Sequence, residues 1–365
     1  MSEEGSASAA WGTPLNVFYC PHCHNAHLAP TDVALTTCPA CLRAAISPQP
    51  ERMRREPPEL AIPFAVGEQR AADALTAWAR GMWFRPAELR ADVLLGRVRR
   101  YYFPLWLVDC DVEATWRAEM GYDYQAASYR ERYANGRWVS QEITETRTRW
   151  EPRVGRLQRH YDNVVAPALE AHERWMSRLG GYDFRTRKAY APRAIAHSVV
   201  RIPDYAPGAA WMDAESALQR TAEKECQIAS EADHVRNWGI EAHYQALHWT
   251  QLLVPAYVTY YGEGDGVYPV WINGQSGHVY GIKRASQRKA TIASLVIGSV
   301  AALGFLLGVL LALIGSALAV PAAIGVVTIA AGLLLGLLAP IPAIWAWIRN
   351  RRAEREASAL EDPSD

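Results

Sequence analysis

The sequence predicts an α+β protein built from an N-terminal zinc ribbon, a middle antiparallel sheet with helices, and a C-terminal transmembrane helical hairpin. Three observations predict it. Two CxxC pairs lie within the first 41 residues, alternating strand-like segments fill the middle, and Ala290 to Ile348 contains no Asp, Glu, Lys, Arg or His. The implied parts are a ribbon at 14–43, a Pro-rich linker at 44–60, an α+β domain at 61–285, two membrane spans at 290–348 and a cytoplasmic polar tail at 349–365. A chain of 365 residues accommodates this many units.

The ribbon comes first. Cys20 and Cys23 form one pair, and Cys38 and Cys41 form the other. A CxxC turn aims two thiolates at one ion, and a second such turn completes a tetrahedron, which is the closed, structural kind of zinc site. Tetrahedral sulfur also suits iron, so Zn2+ is the expected ion and iron the alternative. With four sulfurs filling the shell, His22, His24 and His27 read as surface residues. "LNVFYCPHC" reads as a strand entering the first knuckle and "ALTTCPAC" as one entering the second. Cys110 and Cys226 stand alone, so no disulfide framework is implied and reduced, cytosolic cysteines fit. The opening "MSEEGSASAA" lacks the basic and apolar segments of a secretory signal.

The stretch "CLRAAISPQPERMRREPPELAIP" is rich in Pro and charge and reads as the linker. Ala71, Leu75, Trp78 and Ala79 recur at helical spacing. "RYYFPLWLVDCDVEATWRAEM" and "RWVSQEITETRTRWEP" alternate as strands, with Asn135-Gly136 as a hairpin turn. "AWMDAESALQRTAEKECQIASEAD" reads as an amphipathic helix capped by Asp213. "HYQALHWTQLLVPAYVTYY" and "GVYPVWINGQSGHVYG" read as closing strands, turning at Asn273-Gly274. "YYFPLWLVDCDVEATW" and "QLLVPAYVTYYGEGDGVYPVW" echo one another; a loose duplication or simply two proline-bearing strands in one sheet would produce this.

A bilayer core needs roughly 20 apolar residues per helix. The uncharged run therefore accommodates two spans, near Thr291 to Ile314 and Ala322 to Trp345, with a turn around Pro321. Trp345 and Trp347 fit an interfacial belt. Lys283, Arg284, Arg288 and Lys289 precede the first span, and Arg349, Arg351, Arg352 and Arg355 follow the second. Basic flanks stay inside, so the protein is expected in the inner (plasma) membrane as a multi-pass chain with both termini cytoplasmic. Gly304 with Gly308, and Gly332 with Gly336, form GxxxG pairs that serve either packing of the two spans on each other or a homo-oligomer. No ionisable residue lies in the spans, so they read as an anchor rather than an ion path.

The charge balance of 38 basic against 38 acidic residues gives no global argument for nucleic-acid binding. Arg130 to Arg159 nevertheless carries eight arginines and four glutamates, with Tyr133, Trp138 and Trp150 interleaved. A solvated strand face, a nucleic-acid surface and a lipid-headgroup surface all remain open for it, while the Lys283–Lys289 cluster adjoins the span and suits headgroups better. Asp109, Asp111 and Glu113 share one strand face and are expected to pair across the sheet with arginines such as Arg147 and Arg149. His160, His172, His197, His234, His243 and His248 are scattered, and the five-residue spacing of His243 and His248 puts them on opposite faces of a strand. HExxH, GxSxG and GxxxxGK[ST] are absent from the sequence. Cys110 and Cys226 read as buried small hydrophobes.

The ordered marks CPHC and CPAC, "IPFAVGEQRAADALTAWARGMWFRP", "YYFPLWLVD", "LLVPAYVTYY" and "VWINGQSGHVYG" before basic residues and apolar spans resemble bacterial membrane proteins described as TFIIB-type zinc-ribbon proteins. These are sometimes labelled primosomal-protein-N-prime-like. The resemblance covers Cys20 to about Ile348. It implies a scaffold or recruitment role with phage-shock-protein-A-like or SPFH/flotillin-like partners in envelope stress, and it carries over only the four cysteines as functional positions. The expected function is thus a non-enzymatic, membrane-anchored zinc-ribbon adaptor. A membrane-tethered nucleic-acid-binding protein and an enzyme with a site in the middle domain are the alternatives.

Overall fold

Strand β4 (Arg99–Ala134) is 36 residues long, so it runs about 120 Å when extended. Its partners β5 (Arg137–Pro167) and β8 (His234–Glu263) are nearly as long, and both pair with it antiparallel. The computed structural model describes residues 10–42, 45–49, 56–134, 136–170, 172–314 and 319–361. The start of the chain, Arg43 at the end of the expected ribbon, much of the linker, Asn135, residues 315–318 in the expected membrane turn and the last four residues lie outside the described residues.

Seven short strands complete one ten-stranded sheet: β1 (Leu15–Tyr19), β2 (Ala26–Pro30), β3 (Leu60–Ala61), β6 (Lys188–Ala189), β7 (Ser198–Arg201), β9 (Gly266–Asn273) and β10 (Val279–Gly281). The order is β1-β2-β7-β4-β8-β3-β6, with β5 also beside β4, and β9 joining β8 to β10. The sheet is mixed rather than antiparallel, because β7 runs parallel to β4 and β3 parallel to β8. Alternation in sequence reports which face a residue takes and carries no information about strand direction, so these short strands were not legible as parallel.

The two echoing segments turn out to be neighbours, with Tyr102 opposite Pro255 and Pro104 opposite Leu253. Each proline sits where its strand changes partner. On one side of β4 the neighbour is β7 as far as Tyr102 and β5 from Leu105 onward, and Pro104 falls between. On the far side of β8 the neighbour is β3 as far as Leu253 and β9 from Ala256 onward, and Pro255 falls between. A residue without an N–H is tolerated inside a sheet at such a gap in the ladder.

Helix α1 (Glu68–Ala79) buries Ala71, Leu75 and Ala79, as its spacing predicts. Two short helices follow, α2 (Ala91–Leu95) and α3 (His172–Leu179). Helix α4 (Trp211–Ala229) lies on the long strands, its Leu218 against Cys110, Val112 and Tyr161 and its Cys226 against Ala118 and Met120. Its cap is Ala210 without a side-chain bond, and Asp213 lies inside the first turn. A 3-10 turn at Pro207–Ala210 leads straight into the helix and takes the place of the expected Asp213 cap.

Pairing with β8 stops at Gly121–His234, but β4 and β5 continue from Tyr122–Arg149 to Ala134–Arg137. This two-stranded arm is about 40 Å long. Of the predicted Asn135-Gly136 turn, Gly136 is described and has φ 76°, and Asn135 lies outside the described residues. The second predicted turn is longer: β9 ends at Asn273 and β10 resumes at Val279. There the buried Asn273 Oδ1 accepts from the N–H groups of Gln275 and Ser276.

The chain ends in α5 (Gln287–Ile314), α6 (Ala319–Leu338) and α7 (Ile341–Glu361). Pro321 falls in the first turn of α6, where a missing N–H costs nothing, rather than in the connecting turn.

Candidate metal centre

Both CxxC pairs are shaped by the same backbone turn. His24 N–H bonds back to Cys20 O at 3.0 Å, and Leu42 N–H to Cys38 O at 2.9 Å. His24 and Leu42 both take left-handed backbone, at φ 57° and 59°. Strand β1 delivers the first pair. The second is delivered by a loop, since the expected "ALTTCPAC" strand shrinks to a single bridge between Thr37 and Ala45. The chain enters the knuckle directly after that bridge, which leaves no room for a ladder.

The four sulfurs lie within 4.8 Å of one another. Cys20 Sγ is 3.6 Å from Cys41 Sγ, and Cys23 Sγ is 3.7 Å from Cys38 Sγ. A tetrahedral ion with Zn–S bonds of about 2.3 Å requires sulfur–sulfur edges of about 3.8 Å, whereas a disulfide would bring two sulfurs to about 2.05 Å. The donor set and its spacing therefore fit one tetrahedral, sulfur-preferring ion. Among the described residues this is the one group of three or more His, Cys, Asp or Glu close enough to hold a metal. The bond from Cys23 draws the Cys38 thiol well below its ordinary value, with burial opposing and His27 helping. The same bond, with burial, pushes Cys23 up.

His27 departs from the surface role expected of it. It is fully buried, with Nε2 3.6 Å from Cys38 Sγ and Nδ1 3.0 Å from the Tyr101 hydroxyl. Burial holds the imidazole below its ordinary value, with the Cys38 contact opposing. Tyr101 O–H can donate to Nδ1 while Nε2–H faces the sulfur, which is the usual arrangement for a group that supports a metal ligand from behind. His27 lies in β2, whose residues from His27 to Pro30 are all buried, so no alternation in the sequence sets this histidine apart. His22 and His24 are exposed as expected.

The cysteine strands are built into the main sheet. Strand β2 pairs with β7, and Cys20 and Cys38 share one core cluster with Tyr101, Phe103 and Trp271. Trp11, Leu15, Val17 and Leu28 pack with Tyr102, Ile195 and Leu253. Ile46, inside the expected linker, also joins the core.

The remaining candidates are separated from this centre. The expected pairing of the β4 acids with Arg147 and Arg149 does not form, because those arginines lie far along the arm opposite Tyr124 and Tyr122. Instead Asn163 N–H donates to Asp109 at 2.5 Å, His160 meets Asp111 at 2.7 Å, and Gln158 donates to Glu113 at 3.3 Å. His243 and His248 lie opposite Glu113 and Asp109 and hence on one face. A bulge with Ala246 at φ 52° shifts the register by one residue and undoes the simple alternation. Cys110 and Cys226 are buried, and burial pushes the Cys110 thiol up to about 11. His172, His197 and His234 lie on separate elements.

Two helices, Gln287–Ile314 and the continuous stretch Ala323–Arg355, are long and apolar enough to cross a membrane. Their apolar side chains face outward, with Leu303 68% and Leu337 75% exposed. A core helix of a water-soluble domain would bury such residues. Helices α5 and α6 pack antiparallel. An added Cβ on Gly308 would lie 2.7 Å from Ile329 N, one on Gly332 2.8 Å from Phe305 N, and one on Gly325 2.5 Å from Ala312 N. Gly304 has open space instead, so the first GxxxG pair is split between an inner and an outer face. Comparison with protein-family models, curated proteins and solved structures finds no match.

Proposed function

We propose that the protein is a non-enzymatic, membrane-anchored adaptor that holds one Zn2+ through Cys20, Cys23, Cys38 and Cys41. In this reading the ion is structural: it locks the β1–β2 edge onto the sheet, and with four sulfurs bound it has no open position for chemistry. The two apolar helices form a hairpin in the inner membrane with both termini in the cytoplasm, as their basic flanks require. The sheet and its arm are the docking surface, and the partner classes are those implied by the resemblance, phage-shock-protein-A-like or SPFH/flotillin-like proteins.

The observation that carries this reading is the clamp between Ala285 and Asn350. Ala285 N–H donates to Asn350 Oδ1 at 2.8 Å, and Asn350 Nδ2 donates to Ala285 O at 2.9 Å. Arg284 adds an ion pair with Glu354 at 2.6 Å. These bonds join the segment after β10 to α7, so a partner docked on the sheet is held at a fixed height above the bilayer. The arm supplies unpaired strand edges, which recruit extended segments of other chains. A two-stranded ribbon is marginally stable alone, which favours a partner along it.

Replacing residues 124–147 by Asn-Gly would join the paired Asp123 and Thr148 through a short turn and remove most of the arm. Crosslinking and affinity purification from native membranes should recover a specific protein with the full chain and lose it with the shortened one. Equal recovery from both would refute the arm as the docking element. Exposed Tyr129, Tyr133 and Trp138 near the tip favour a second reading, nucleic-acid binding by stacking and arginine contacts. Affinity for DNA or RNA that falls steeply with salt would select it.

A further inference from the structure

Where the sheet meets the apolar helices there is a cavity of about 270 Å³ walled by Gly81, Met82, Trp83, Lys283, Trp345 and Arg349. Both of its charges are positive. Nearby, Arg284 pairs with Glu354 and Lys289 Nζ donates to the Arg85 carbonyl at 2.8 Å, while among the described residues the Lys283 ammonium has only the face of the Trp78 ring, 4.8 Å from its centroid. No acidic side chain among the described residues pairs with Lys283 or Arg349. Burial and then the Arg349 charge draw the Lys283 ammonium below its ordinary value. Lys283 is half-buried and Arg349 exposed, and an anion between them would offset their mutual repulsion.

The position specifies the anion. Arg349 directly follows the uncharged run that ends at Ile348, and Lys283 lies just before α5. Trp83, 70% exposed on the loop after α1, faces Trp345 with ring centroids 6.0 Å apart. Tryptophans at the boundary between apolar and charged residues mark the headgroup level of a bilayer. We propose that this cavity binds the phosphate of an anionic phospholipid headgroup, Lys283 and Arg349 engaging its oxygens and Trp83 and Trp345 lining the glycerol region. Arg349 presents a planar fork that suits phosphate, and Lys283 supplies a point charge. This inference rests on the membrane anchoring proposed above and assigns that anchor a lipid preference.

The test uses the full chain in detergent, titrated with short-chain phosphatidylglycerol, short-chain phosphatidylcholine and inorganic phosphate, with bound lipid counted by native mass spectrometry. Retention of phosphatidylglycerol over phosphatidylcholine is expected to be on the order of tenfold, falling to parity in K283Q/R349Q. Parity in the unaltered chain, or an undiminished preference in the double variant, would overturn the site. Competition by inorganic phosphate at equal concentration would reassign it to a free anion and overturn the lipid. Should the double variant misfold, Trp83→Ala decides: retained phosphatidylglycerol drops several-fold if the cavity is the site and is unchanged if it is not. A chain that is monodisperse without detergent contradicts the anchoring itself, a result distinct from lost lipid preference.

Discussion

The Nε2 atom of His27 lies 3.6 Å from the sulfur of Cys38, although the two residues are 11 apart in sequence. The other ring nitrogen meets Tyr101 on β4, so the knuckle is linked through one imidazole to the central strand of the sheet. An N–H directed at a thiolate offsets part of the charge that four sulfurs gather around one ion, and it fixes the sulfur's orientation.

His27→Ala should therefore weaken metal binding by on the order of tenfold or more, the usual cost of removing a group that supports a ligand. Competition with a chromophoric chelator measures this. His27→Gln retains an N–H donor and should recover part of the loss, and Tyr101→Phe should give a smaller one. Equal affinity in all three variants would show that His27 only fills space.

The close approach of α5 and α6 depends on Gly308. A methyl group there would lie 2.7 Å from the Ile329 backbone, whereas one at Gly304 would meet nothing. Gly308→Ala should destabilise the full chain in detergent by about 1–3 kcal/mol, the range for overpacked sites, and lower its thermal midpoint. Gly304→Ala should leave the midpoint unchanged.

His160 sits between Asp111 at 2.7 Å and Asp162 at 3.0 Å. The bond to Asp111 raises its pKa above the ordinary 6.5, with Asp162 adding to the effect. A raised folded-state value means a stabilising contribution fully present below pH 6.5 and lost as pH rises through the higher folded midpoint. An NMR titration of His160 should show that upward shift, and Asp111→Asn should move the midpoint back down. The pair is exposed, so the effect on overall stability should be small.

Much of this architecture is legible because simple periodicities survive in it. Ala71, Leu75 and Ala79 mark α1, the two CxxC pairs mark the sulfur cluster, and the uncharged run marks the apolar helices. What escaped the sequence depends on contacts between distant segments. The alternation of β8 fails at Ala246 because one left-handed residue makes a bulge, so His243 and His248 share a face that spacing alone denies them. His27 looked like one of three loose histidines, and only the pairing of β2 with β7, with Tyr101 close by on β4, reveals it as buried. Pro104 and Pro255, one in each of the two echoing segments, mark gaps in the ladders on either side of one strand pair. The parallel pairing of β3 with β8 and of β7 with β4 follows from long connections that local patterns do not encode.

Elemental analysis of the freshly purified full chain tests the central claim most directly. One zinc per chain is expected, falling to none in Cys20→Ser/Cys38→Ser together with a lower unfolding temperature, since Cys20 and Cys38 belong to the core they would no longer hold. A chain that is folded and equally stable with no bound metal would contradict the account.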